Sequence, residues 1–532
     1  MNDAIPQHYN FAHDVLERLG HERPADLALW WVAENGGDER RISFGEMAGE
    51  LRRAAAFFAS LGVKRGDCVM VVLQRVPEWW VAVLGLIRLG AIPIPGTPLL
   101  TVKDIAYRVK AASVRGIVTD AAGAAKVGDF AGLRVLVGGT QAGWHDFAAG
   151  VRGADPNPPY EPSHSSDPGI IYFTSGTTGE AKMVLHTQVS YGIGHRATGE
   201  WLDLGPRDRV WALADTGWAK TAWSNFFGPW LLGAAVFTLD MRGKFDPHLV
   251  LETLTRFPIT VFCCPATALR LIVRKDLAAY TFPHLRHCVS AGEALNPPVY
   301  KTWKDATGLP IYEGYGQTES VVMVANRRRD GREIRPGSMG HPTPGFDLAI
   351  LDEDGHELPA GTVGQLAVRI QPQRPLGLFQ EYWRNPEENA QRFVGPWYLT
   401  GDTVQMDAEG YYWFVGRADD VINSASYRIG PGEVESALLE HPAVLECAAV
   451  GVPEEMRGEI VKAFVVLREG YLASEALKHE LQTHCKAVTA PYKYPRLMEF
   501  VPSLPKTVSG KIRRTELRAR ERAHPSSLHP RP

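Results

Sequence analysis

The sequence predicts an α/β protein: a large N-terminal region of βα-layered sheets that includes a small β subdomain, followed by a small mobile α+β C-terminal domain. Three observations predict it. From about residue 40 to 300, short apolar runs alternate with amphipathic segments, as in βα units around a largely parallel sheet. From about Gly337, closely spaced Gly and Pro turns separate short alternating runs, as in "GSMGHPTPGFDLAILDEDGHELPAGTVGQLAV", which suits a β subdomain. After "GRADD" the chain returns to helix-and-strand text over about a hundred residues, the size of one further domain. At 532 residues the chain is too long for one ordinary core, so at least two domains are expected.

Each element has its own reason. "CVMVVLQ" (Cys68 to Gln74) reads as a strand, and "PEWWVAVLGLIRLG" as a helix opened by Pro77 and closed by Gly90. "AIPIPG" is the next strand. The alternation recurs at "GIIYFTSG", "RVWALAD", "AAVFTL", "TVFCCPA" and "HCVSAGEAL". These strands end on small or polar residues, where open α/β sheets collect ligands. The expected boundaries are 1–417 for the N-terminal domain, with 337–415 as its β-rich part, and 418–520 for the C-terminal domain, with a hinge near Asp419. Residues 521–532 belong to a polar, Pro-rich stretch expected to be a flexible tail.

Bulk properties narrow the function. A net charge of -3 and a pI near 6.6 argue against a nucleic-acid partner, which needs a basic stripe. The six cysteines are scattered, without paired CxxC spacing, and read as reduced and buried. The N-terminal residues resemble neither a signal peptide nor an Arg/Ser-rich presequence. No apolar run approaches the roughly 20 residues that cross a bilayer, so no integral membrane segment is expected. Together these readings predict a soluble, cytoplasmic enzyme.

"TSGTTGEAK" carries the first chemistry. Thr174, Ser175, Thr177 and Thr178 offer hydroxyls, Gly176 and Gly179 let backbone N–H groups approach an anion, and Lys182 adds positive charge. This is a phosphate loop, but not a Walker A loop, which needs Gly-Lys-Ser/Thr in succession. Further motifs follow in order: "SAGEAL", "YEGYGQTES", "YLTGD", "GRADDVINSASYRIGPGEVE" and "PKTVSGKIRR". In this order and spacing the chain resembles the AMP-forming acyl-CoA synthetases of the adenylate-forming superfamily. "WALADTGWAKTAW" and "APYKYPR" look most like the medium-chain branch.

The resemblance implies ATP, Mg²⁺ and coenzyme A as reactants, together with a small carboxylic acid. Pyrophosphate leaves as the carboxylate attacks the α-phosphate, so the work is positioning and charge neutralisation. The 174–182 loop would cradle the β- and γ-phosphates. Gly292, Glu293, Glu313, Gly314 and Gln317 would line the nucleotide, with Tyr315 on adenine, Thr318 on the α-phosphate and Glu319 helping to hold Mg²⁺. Asp402 would accept from the ribose hydroxyls, with Arg417 and Arg428 nearby. Lys511 would bridge the carboxylate and α-phosphate as the catalytic cation. Asp419 matches the family's hinge, about which the small domain rotates between half-reactions.

Ala425, Ser426 and Tyr427 would border the passage for the CoA arm, and Arg457, Lys486 and Arg496 are candidates for its phosphates. The family usually has glycine where this chain has Ser426, and lysine where it has Asn423. Serine is small and Arg428 is retained, so thioester formation is still expected. For the acid, Gly316 stands where acetate-using relatives carry a bulky Trp, so a deeper pocket is expected. Trp218, Lys220 and Trp223 are expected to line it, with Phe226 and Phe227 as further candidates. Medium-chain, branched and aromatic acids all fit. Two other readings stay open: transfer of the acyl group to a carrier-protein thiol or an amine, and a catalytically silent adenylate-binding protein. A homodimer is compatible with the chain, though no residue dictates it.

Overall fold

The structure, a computed structural model, describes residues 5–175, 181–417, 420–424, 427–454, 457–489, 493–506 and 511–523, without the side chains of Ser175, Asn423, Tyr427, Arg428 and Ala523. Near the N-terminus, five parallel strands form one sheet in the order Ile92–Gly96, Cys68–Val72, Gly116–Thr119, Leu133–Leu136, His145–Asp146. Cys68–Val72 is buried at every residue. The helix Pro77–Leu89 starts on proline and stops at Gly90, whose φ of 76° a side chain would resist.

A 14-stranded sheet forms the larger layer. Its parallel part contains Leu27–Ala33, Ala235–Asp240, Arg209–Ala212, Val261–Cys263, His287–Ala291 and Ile311–Tyr315. Beyond Ile311–Tyr315 the pairing turns antiparallel through Val324–Ala325, Ser338–Pro342, Tyr412–Arg417, Trp397–Met406, Val363–Arg369 and Leu348–Leu351. The Gly- and Pro-rich text from Gly337 thus extends the large sheet.

One strand departs from the parallel reading. Pro168–Ser175 pairs antiparallel with Ala181–Thr187, which also carries Glu381–Tyr382. The chain returns after a few residues, whereas a parallel crossover takes a dozen or more. The two ends of the phosphate-loop text, Thr174 and Lys182, therefore lie opposite each other on antiparallel strands.

The C-terminal residues form a sheet ordered Tyr427–Ile429, Ile422–Ser424, Gly458–Leu467, Val444–Glu454, with Leu497–Phe500 added alongside Gly458–Leu467. Pro431–Leu439 and Glu475–Val488 cover it through a core that includes Val434, Leu438, Val461 and Leu481. The flexible tail expected from 521 is corrected: the helix Arg514–Ala523 runs into it. Its Glu521 is 5% exposed and lies 2.6 Å from the equally buried Lys462 ammonium, because a buried cation needs a partner. Residues 524–532 lie outside the described ones. Every cysteine is free and buried. Among the described residues no helix is long and apolar enough to cross a membrane.

Candidate active site

The site opens where two adjacent parallel strands end. His287–Ala291 and Ile311–Tyr315 are in register at Ala291 and Gly314, so the segments starting at Gly292 and Gly316 emerge side by side. They border an open cleft of about 1140 Å³ that also takes in Thr174, Lys182, Asp402, Arg417 and Lys511. Residues from six separate motifs thus face one space.

Asp402 and Arg417 are cross-strand partners, with Nε and Oδ1 3.9 Å apart. The other Asp402 oxygen accepts from the Tyr315 hydroxyl at 2.5 Å and the Gln317 amide at 2.6 Å. Tyr398 in turn donates to the Gln317 oxygen. Burial raises the Asp402 pKa, against the opposing pull of Arg417 and the two donors. Tyr315, expected on adenine, therefore also ties its strand to the carboxylate expected on ribose.

Glu319 accepts from the Tyr382 hydroxyl at 2.8 Å, and burial raises its pKa. The Thr318 carbonyl receives two side-chain donors, His186 Nε2 at 2.8 Å and the Tyr191 hydroxyl at 2.9 Å. Lys182 pairs with Glu388 at 2.5 Å and lies over the Tyr382 ring. Burial works against the Glu388 carboxylate, but Lys182 and Arg392 outweigh it and hold its pKa low. Glu313 is buried, accepts from the Leu295 N–H, and has its pKa pushed up to about 8 by burial.

Lys511 lines the same cleft while keeping solvent contact. The protein crowded around its ammonium lowers its pKa; Arg417 and Lys220 add to the effect, while Glu293 and Asp402 oppose it. Glu293 is held by Thr267 at 2.7 Å and Arg270 at 3.0 Å. Burial raises the Glu293 pKa, but Arg270, Thr267 and the Lys511 charge bring it below the usual range.

The pocket behind Gly316 differs from expectation. A Cβ there would lie 2.4 Å from Trp223 Cη2 and 2.4 Å from the Val321 carbonyl. The missing side chain accommodates the buried Trp223 indole, so the space expected to be open is filled. Trp218 is half-buried before the short helix Ala219–Ala222. Lys220 does not face open solvent: its ammonium donates to the Ala291 carbonyl at 2.6 Å. Phe226 and Phe227 are core, packed on Phe11, with Phe226 also on Trp79 and Trp230.

Lys486 and Arg496 meet across Tyr494, at 4.1 Å and 5.1 Å from the ring centroid. Arg457 stands exposed just before the strand Gly458–Leu467, its N–H on the Glu454 carboxylate. Gly176, Thr177, Thr178, Gly179, Asp419, Ala425 and Ser426, and the side chains of Ser175, Tyr427 and Arg428, lie outside the described residues. Sequence reasoning missed Tyr382, Glu388, His186 and Tyr191, and read Thr267 and Arg270, within "CCPATALR", as acyl-pocket lining, whereas they hold Glu293. His186 and Tyr191 were closest to being found, in the text just after the phosphate loop.

Residues 16–383 match the AMP-binding enzyme family. The chain belongs to the AMP-binding enzyme family. Residues 433–511 match the C-terminal domain of the same enzymes. The chain is 49% identical over 534 residues to rat (Rattus norvegicus) acyl-coenzyme A synthetase ACSM5, mitochondrial, covering 97% of this chain and 91% of that protein. It is 46% identical over 533 residues, with the same coverage, to mouse (Mus musculus) acyl-coenzyme A synthetase ACSM3, mitochondrial. Among solved structures, the anthranilate CoA ligase AuaEII in complex with anthranoyl-AMP superposes with a TM-score of 0.87 at 33% identity, covering 97% of this chain and 98% of that one. These two acyl-coenzyme A synthetases overturn the cytoplasmic expectation, since both are named mitochondrial. Reduced thiols and a near-neutral charge do not distinguish one reducing compartment from another.

Proposed function

We propose that the cleft joins a carboxylic acid to coenzyme A at the expense of ATP, through an acyl-AMP intermediate, with release of AMP and pyrophosphate. The observation that carries this reading is the convergence of Lys511, Asp402 with Arg417, and Thr318 with Glu319 on one cleft that the phosphate-loop hairpin also reaches. The carboxylate attacks the α-phosphate and pyrophosphate departs; the CoA thiol then displaces AMP from the acyl carbonyl. Negative charge gathers on the phosphorus oxygens in the first step, and a cation beside it lowers the barrier most effectively in a site with little water. Lys511 supplies that cation, while the Thr318 hydroxyl bonds the α-phosphate. Crowding lowers the Lys511 pKa, and the Glu293 and Asp402 charges oppose that shift.

Glu319 suits the Mg²⁺ that accompanies ATP. It is a carboxylate in the cleft wall, oriented through one oxygen by Tyr382, and a hard ion takes carboxylate and phosphate oxygens together. Held there, Mg²⁺ would neutralise phosphate charge. The 1–417 and 418–520 regions act as two domains hinged near Asp419, and rotation of the smaller one would withdraw Lys511 and admit the CoA thiol. Lys486 and Arg496, gathered at Tyr494, fit the CoA phosphates. Trp218, Lys220, Trp223 and Gly316 shape the acyl end, for a medium-chain or branched acid. An aromatic acid is the second reading, favoured by the similarity to an anthranilate CoA ligase. A homodimer is compatible with either.

The test is acid-dependent exchange of labelled pyrophosphate into ATP in the absence of CoA. Exchange that requires both Mg²⁺ and a carboxylic acid is expected. No exchange with any carboxylate would contradict acyl-AMP formation.

A further inference from the structure

The Thr318 carbonyl is the meeting point of a buried pair that no step above uses. His186 and Tyr191 are 0% and 1% exposed, with ring centroids 3.4 Å apart and planes 26° from parallel. Both donate to this one oxygen, His186 from Nε2 and Tyr191 from its hydroxyl. A carbonyl has no proton to give, so His186 Nε2 must carry the hydrogen. His186 Nδ1 is then the acceptor, and the Ser190 hydroxyl 3.2 Å away is its donor. Ser190 Oγ itself accepts from the Thr187 N–H at 2.8 Å, and its hydrogen turns to the ring at 3.2 Å in preference to the longer contact with the Thr187 carbonyl at 3.4 Å. The tautomer is set by a chain of partners, and burial keeps the ring neutral, with a pKa near 3.

Two donors on one carbonyl fix the plane of the peptide joining Thr318 to Glu319. The next carbonyl, that of Glu319, is held by the Phe379 N–H at 2.8 Å. Strand geometry adds a link: along Ala181–Thr187, Lys182, Val184 and His186 share a face. Tyr382 pairs with Val184 in register, lies beside the Lys182 ammonium and donates to Glu319. One strand therefore has the phosphate-loop lysine near one end and the Thr318 clamp near the other.

We propose that His186 and Tyr191 are positioning residues for adenylation: their hydrogen bonds to the Thr318 carbonyl hold the Thr318–Glu319 peptide so that the Thr318 hydroxyl and Glu319 carboxylate face the phosphates of MgATP. This rests on the adenylation reading above. Neither residue touches substrate.

The experiment uses full-length wild type, His186→Ala, His186→Gln and Tyr191→Phe. It measures acid-dependent pyrophosphate exchange, with separate KM values for MgATP and the acid, and thioester formation from a chemically prepared acyl-adenylate plus CoA. For His186→Ala, exchange should fall about 10–100-fold, the usual cost of losing a group that orients a ligand. Its KM for MgATP should rise, its KM for the acid should stay within about two-fold, and thioester formation from supplied adenylate should persist. Tyr191→Phe, nearly isosteric and leaving one donor, should lose less. His186→Gln, whose amide N–H can reach the carbonyl, should recover part of the loss. A His186→Ala enzyme that melts earlier yet exchanges with wild-type constants would overturn the proposal. So would equal losses in both half-reactions, or, if His186→Ala does not fold, wild-type constants in Tyr191→Phe. Wild type without any acid-dependent exchange would instead sink the adenylation reading itself.

Discussion

The Lys511 charge is favoured by the Glu293 and Asp402 carboxylates and opposed by Arg417, Lys220 and the protein packed around it. Lys511→Ala should reduce pyrophosphate exchange by orders of magnitude, while thioester formation from supplied acyl-adenylate changes far less; an active Lys511→Ala enzyme in the exchange assay would remove the lysine from the chemistry. Glu313 gives a pH prediction. Its carboxyl has a pKa of about 8 in the fold against an ordinary value near 4.3, so between these the folded state holds a proton that the unfolded state has released. Its contribution is full at low pH and is lost as pH rises through 8, at up to about 1.4 kcal/mol per pH unit. Glu313→Gln keeps an oxygen for the Leu295 N–H and removes the titration. Denaturation at pH 5.5 and 7.5 should show the wild type losing more stability than the variant over this interval, and identical slopes would contradict a protonated Glu313. Residues with motif signatures, such as Asp402 and Lys511, were legible in the sequence. Their partners were not: Thr267, Tyr382 and Glu388 belong to no motif and act only through the fold, which brings Tyr382 to Glu319 across 63 positions.

At the scale of elements, periodicity located strands better than it paired them. Cys68–Val72 and the helix Pro77–Leu89 follow directly from an apolar run, a proline and a glycine. The phosphate-loop strand was mispaired because its apolar text looks the same in a parallel and an antiparallel sheet, and only the short return distinguishes them. Gly316 shows the limit of reading a single position. The absent side chain promised depth, but the indole that fills the space comes from Trp223, 93 positions earlier in the chain. Trp223→Ala should therefore release that space and raise the kcat/KM ratio of a longer over a shorter acid about ten-fold, within the range that hydrophobic pockets achieve per methylene. An unchanged chain-length profile would place the acyl group elsewhere. Gly316→Ala should overpack the contact and cost about 1–3 kcal/mol of stability, measurable by urea denaturation; a neutral effect would mean that the indole moves freely.

Across the whole molecule, polar contacts join the C-terminal region to the large one. Asn296 donates to the Ser436 hydroxyl at 2.7 Å, and Arg274 to the Leu445 carbonyl at 2.8 Å. Lys511 is in the cleft in this arrangement, so on the proposed reading these contacts belong to an adenylating pose. Each is worth about 1 kcal/mol. Asn296→Ala or Arg274→Ala should thus slow pyrophosphate exchange about five-fold and leave thioester formation from supplied adenylate unchanged or faster. Equal effects on both half-reactions would argue against a pose-specific role. Polar text misled at the C-terminus, where Glu521 reads as a solvated charge but neutralises Lys462 inside the fold.

The central claim is that one cleft makes an acyl-AMP and passes it to CoA. The most direct measurement is pyrophosphate release and acyl-CoA formation across a panel of acids, straight chains of two to twelve carbons with benzoate and substituted benzoates, each with and without CoA. The account predicts multiple turnovers only with CoA, strongest on medium-length or aromatic acids, with acyl-CoA and AMP formed in equal amounts. Release of about one equivalent of pyrophosphate per enzyme, unchanged by CoA and without acyl-CoA, would contradict it.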